Sequence, residues 1–208
     1  MQAESSSSGR RSGSFIEAAR RAQIIEAAIV AVNELGYAGA SLSVIAARAK
    51  TSKSVISYHF DGKEELLAQV VEQVYEEAGA LIMAAVDGVT GWPEKLAAYV
   101  RAELAYMRDH RERMIAANEI VISHRDADGV PLYLQSGDED TALLEHLLRS
   151  GRRAKDFGPM DIKIAAVTIV HAIDGALTEA QKDPDLDLDR YADRLVPLLL
   201  RAVSGGAA

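Results

Sequence analysis

From Phe15 to Val203 apolar residues recur every three to four positions, and no stretch sustains a period of two. That rhythm leaves the helix as the only regular element, and nothing repeats at a solenoid spacing. Ile24, Ala28, Ala31 and Leu35 form the first apolar stripe. Ile162, Ala166, Ile169, Ile173 and Ala176 form a late one, and Leu188, Tyr191, Leu195, Leu198 and Ala202 the last. The expected fold class is all-α, with about nine helices.

Start and stop signals divide the chain further. Ser14 and Glu17 have the spacing of a capping box for a first helix that Gly36 ends. Ser41 caps a short helix from Leu42 to Ala49, Lys50–Thr51 is a tight turn, and Ser52 caps a third helix to Phe60. Asp61–Gly62 breaks the chain before a long connecting helix over 63–86. Pro93 opens a helix to His110, and another covers Glu112–Ser123. Past a polar loop at Arg125–Gly129 come a mostly helical Pro131–Ser150, a basic loop at Gly151–Gly158, and closing helices over Met160–Lys182 and Asp187–Val203. Residues 1–13 have nothing apolar to pack and read as a disordered basic arm. That arm is either an inert tail or, through Arg10 and Arg11, a segment that settles on phosphates or in a minor groove.

The formal net charge is −8, which taken whole argues against a polyanionic partner. The average conceals a division. Residues 1–63 hold eight Lys/Arg against five Asp/Glu, a balance of +3, and the remainder carries −11. A basic first third on an acidic body suits a polyanion-binding module attached to a non-binding one.

Two short helices joined by a tight turn and packed on a longer first helix make a helix-turn-helix, whose second member can enter a DNA major groove. On the third helix Ile56 and Phe60 share the inward direction, while Ser54, Ser57 and Tyr58 point away. Small hydroxyl residues allow close approach to base edges, and Lys53 reaches a guanine edge or a phosphate. Ser41, Ser43, Ser52, Tyr58, His59 and Lys63 are the types that hold phosphates. The DNA-binding domain is thus expected over 14–62, followed by a helical domain over 63–208.

The stretch Ala40 to Phe60, and above all Tyr58-His-Phe-Asp-Gly-Lys-Glu-Glu-Leu66, resembles the DNA-binding signature of the TetR (tetracycline repressor) family, over about residues 20–67. The resemblance implies a homodimeric transcriptional regulator, commonly a repressor on a palindromic double-stranded operator. It also implies a C-terminal domain that binds a small-molecule inducer and dimerises through its last two long helices. Three departures stand out. Lys50 occupies the turn position usually held by Gly, which in a left-handed conformation costs about 1 kcal/mol. Ser54-Val55 replaces the frequent Gly-Thr pair, and Ser57 a frequent aromatic. Val55 joins the base-reading set through contact with a thymine methyl.

The acidic two-thirds offers candidates for a ligand pocket: Trp92, Tyr99, Glu103, Tyr106, Met107, Met114, Asn118 and Ile122, with His171, Asp174 and Thr178. The last three share a stripe with Ile164 and Val167. The other faces of the closing helices, Ile162, Ala166, Ile169 and Ile173 with Leu188, Tyr191, Leu195 and Leu198, suit a four-helix dimer interface.

Cysteine is absent, which removes disulfides, thiolate metal sites and thiol nucleophiles and makes the cytoplasm the default compartment. No apolar run approaches the roughly 20 residues of a bilayer span, so no membrane partner is expected. The five histidines show no metal-ligand spacing, and neither a nucleophile elbow nor a Gly-rich phosphate loop occurs, so no metal, cofactor or catalysis is expected. Two alternatives stand beside the ligand-controlled repressor: a DNA-binding regulator without a small-molecule ligand, and a helical enzyme or ligand carrier.

Overall fold

The computed structural model describes residues 6–126, 128–134 and 139–205, with backbone alone for 6–14, 139 and 140. Among them are nine α-helices: α1 Ser6–Gly39, α2 Leu42–Arg48, α3 Lys53–His59, α4 Gly62–Asp87, α5 Trp92–Asp109, α6 Arg111–Ser123, α7 Glu139–Ala154, α8 Ile162–Lys182 and α9 Leu188–Val203. A 3-10 turn at Leu132–Leu134 and one isolated bridge, Arg125 to Pro131, complete the regular structure of those residues.

The short helices are fixed by local chemistry. The Ser41 and Ser52 hydroxyls accept from the amides of Val44 and Val55, satisfying donors that a helix start leaves orphaned. Gly36 breaks α1 at φ 69°, ψ 172°. Lys50 takes up the left-handed turn at φ 49°. Two expected boundaries differ. Helix α1 begins at Ser6, so Ser14 lies inside it rather than at a cap; a nucleated helix extends at one hydrogen bond per residue. Residues 1–5 of the expected arm lie outside the described residues. Helix α7 runs through Gly151 to Ala154, where a loop was expected, because the Phe157 ring packs onto the bare Gly151 Cα.

The chain divides into two compact units, the first reaching Gln73 and completed by Ile115–Leu132, the second holding Val74–Met114 and everything from Tyr133 on. The first unit has Ile24, Ala28 and Ala31 of α1, Ile45 of α2, Ile56 of α3, Leu66, Leu67 and Val70 of α4, and Ala116, Ala117 and Ile120 of α6 fully buried. Its closing segment is tied in at a break in α1: the Tyr37 amide donates to Glu119 at 3.2 Å. The Lys63 ammonium donates to the Tyr37 carbonyl at 2.6 Å and sits 4.4 Å above its ring.

In the second unit α5 packs on α7, α8 and α9. Leu96, Val100, Leu104, Leu144, Leu148, Ala166 and Ala176 are at most 1% exposed there. Asp161 and Asp187 cap α8 and α9 through the amides of Ile164 and Arg190. No helix among the described residues is long and apolar enough to cross a membrane.

Candidate nucleic-acid interface

Helix α3 sorts its residues as the periodicity requires. Ile56 is 0% and Phe60 2% exposed, whereas Tyr58 is 77% exposed and Lys53, Ser54 and Ser57 are exposed beside it. Val55 is half-buried. The Ser52 and Ser54 hydroxyls lie 2.8 Å apart, so the start of α3 presents two coupled hydroxyls next to the exposed side chain of Lys53. Ser41 and Ser43 are exposed at the start of α2.

His59 and Lys63 are held differently from the rest. The His59 ring is half-buried, and its Nδ1 is covered without a hydrogen-bond partner among the described residues. Lys63 is committed to Tyr37, with burial lowering its pKa against the raising effect of Glu64. Its ammonium therefore fixes the junction of α1 and α4 before it serves any phosphate.

Two side chains of α1 that the sequence reading did not single out reach the ends of α2 and α3. The Arg21 guanidinium donates to the His59 carbonyl and to Gln69, and Gln23 donates to the Ala49 carbonyl. A signal existed for Arg21: it precedes Ile25 by one helical repeat and so shares the core-facing stripe.

The residues expected to line a ligand pocket belong to both units. Asn118 and Ile122 belong to the first unit, and Ile122 is 51% exposed; the other nine belong to the second. Tyr99, Tyr106, Met107 and Met114 are core residues. The Tyr106 hydroxyl donates to Glu77 at 3.1 Å, and burial and that carboxylate push its pKa up to about 12. Trp92 meets His146 edge-on, ring centroids 6.3 Å apart. Glu103 is largely covered; burial first, then the Asp174 carboxylate, push it up to about 7, against a lowering hydrogen bond with Tyr99. His171, Asp174 and Thr178 face outward.

The expected dimer stripe is for the most part buried in the single chain. Ala166, Ile169, Ile173, Leu188 and Leu195 are buried within their own unit, Ile162 and Tyr191 are half-buried, and of the set only Leu198, at 56%, stands free. Both stripes of α8 are apolar, so period alone does not say which one α5, α7 and α9 cover. The uncovered one carries Ile164, Val167 and His171.

Residues 24–70 match the family model described as bacterial regulatory proteins, tetR family. A probable HTH-type transcriptional regulator, YttP, from Bacillus subtilis is 32% identical over 92 residues, 43% of this chain and 44% of its own length. The HTH-type transcriptional repressor SCO4008 from Streptomyces coelicolor is 32% identical over 90 residues, 43% of this chain and 47% of its own. Over residues 24–70 the chain is similar to the tetR family. It spans less than half the length of these curated relatives. The likeness of fold reaches further: the fatty acid degradation regulator FadR from Bacillus halodurans superimposes with a TM-score of 0.75 at 26% identity, covering 89% of this chain and 98% of that one. A tetR-family regulatory protein from Rhodococcus RHA1 has the same TM-score at 24% identity, over 90% of this chain and 98% of its own, a likeness of fold. The matched stretch contains α3, with Lys53, Ser54, Ser57 and Tyr58 exposed on it.

Proposed function

We propose that this chain is a DNA-binding transcriptional regulator acting as a homodimer on a palindromic duplex in the cytoplasm, a repressor released by a small-molecule ligand, and that it works by binding rather than by catalysis. The exposed row Lys53, Ser54, Ser57 and Tyr58 on a short capped helix carries this reading. Lys53, Ser54, Val55 and Ser57 read base edges, and Ser41, Ser43, Ser52, Tyr58 and His59 hold phosphates. One such module makes too few contacts for tight specific binding, which favours a two-fold pair. The uncovered stripe of Ile164, Val167 and His171, with Leu198, is the face offered to the second copy.

Fluorescence anisotropy with the duplex upstream of the chain's own coding region tests the reading. Binding that weakens steeply with salt is expected, Lys53→Ala and Tyr58→Ala weakening it with the dimer intact. No binding to that or any duplex at low salt sinks it, and an Ile164→Asp variant that stays dimeric moves the interface elsewhere. Ligand control is supported by the largely covered Glu103 in the second unit. The packing of Tyr99, Tyr106 and Met107 into the core favours the second reading, a regulator without a small-molecule ligand.

A further inference from the structure

A seven-residue helix satisfies few of its own backbone groups, so its direction is set from outside. For α2 and α3 that outside partner is α1. Gln23 Nε2 donates to the carbonyl of Ala49, the residue that ends α2, at 3.0 Å, and Arg20 orients the Gln23 amide by donating to its Oε1 at 2.8 Å. Arg21 Nη1 donates to the carbonyl of His59, the last residue of α3, at 2.5 Å. Its Nη2 donates to Gln69 Oε1 on α4 at 3.2 Å, and the guanidinium lies 4.3 Å over the Phe60 ring. One planar side chain thus joins three helices, with its charge at the negative end of α3.

We propose that Arg21 is a positioning residue for DNA reading: it sets the pitch at which α3 presents Ser54, Ser57 and Tyr58, and does not itself touch DNA. Both of its Nη groups are engaged within the fold and one face of the guanidinium is covered by Phe60. The residue whose carbonyl it grips, His59, follows directly on Tyr58, which is 77% exposed. A tilt of the α3 axis moves base-reading side chains off their edges while leaving a basic surface that still attracts phosphates. The inference rests on the proposed reading of α3 as the DNA helix.

The test compares two duplexes, one selected on the wild-type chain from a randomised library and one with its sequence scrambled, by anisotropy at a temperature where melting curves show every variant folded. For Arg21→Gln the affinity for the selected duplex is expected to fall about tenfold or more, the loss of a hydrogen bond to a charged group, while affinity for the scrambled duplex is unchanged. Arg21→Lys, which keeps one donor for the His59 carbonyl, is expected to recover part of the discrimination, and it is the variant to read if Arg21→Gln does not fold. A parallel loss on both duplexes, the mark of a direct phosphate contact or a destabilised unit, overturns the proposal, as does unchanged discrimination. If the wild-type chain itself fails to discriminate, the reading of α3 fails instead.

Discussion

The Tyr37 hydroxyl lies 2.9 Å from Nδ1 of His124, joining the residue after the break in α1 to the residue just beyond α6. With Glu119 accepting the Tyr37 amide and Lys63 on its carbonyl, one tyrosine gathers three elements of the first unit. Removing the hydroxyl alone is therefore informative. Tyr37→Phe is expected to lower stability by about 1 kcal/mol, the net worth of a partly buried hydrogen bond. Urea titration of Tyr37→Phe, His124→Ala and the double variant checks it; strictly additive losses show that the pair does not interact.

Glu103 makes stability depend on pH. Its carboxyl, ordinarily at 4.5, titrates at about 7 when folded, so between those values the folded chain holds a proton that the unfolded chain has released. The contribution is fully present below about pH 4.5 and is lost as pH rises through 7. Glu103→Gln, neutral at every pH, is expected to gain roughly 1–3 kcal/mol over the parent at pH 8 and little at pH 4.5. Equal melting differences at both values exclude the effect.

Gly151 has no room for a side chain. A Cβ there would stand 2.3 Å from the Phe157 ring and 3.0 Å from Trp92 Cβ. Although Ala is the better helix former, Gly151→Ala is expected to destabilise the second unit by about 1–3 kcal/mol through overpacking. A calorimetric melt that is unchanged or raised means that Phe157 moves aside freely.

Lys50 occupies a left-handed conformation that suits glycine. Lys50→Gly is expected to raise stability by about 1 kcal/mol by relieving the Cβ clash. If thermal midpoints fall instead, the lysine side chain contributes more than its backbone strain costs.

Much of this was legible in the sequence because it is written locally. The cap Ser41 placed α2 at Leu42–Ala49 against the observed Leu42–Arg48, and the cap Ser52 with the spacing of Ile56 and Phe60 placed and oriented α3. The tight turn could be placed at Lys50 from its position between two capped runs. What the sequence withheld depends on which surfaces meet. Ala166 and Ile164 lie on two apolar stripes of α8, and only the arrangement of α5, α7 and α9 decides that the first is covered and the second is not. The grip of Arg21 on His59, 38 positions away, is likewise a property of packing rather than of spacing.

The discontinuity of the first unit has a consequence during synthesis. A nascent chain ending at Met114 already contains α1 through α5, yet lacks Ile115–Leu132 and with it Glu119, Ile120 and His124. Helices α2 and α3 leave the ribosome early, but the segment that closes their unit is made only after the whole of α5. Interrupted translation products that end at Met114 therefore carry α2 and α3 without the side chains of α6 that complete their unit, and are expected to be less stable than the finished chain.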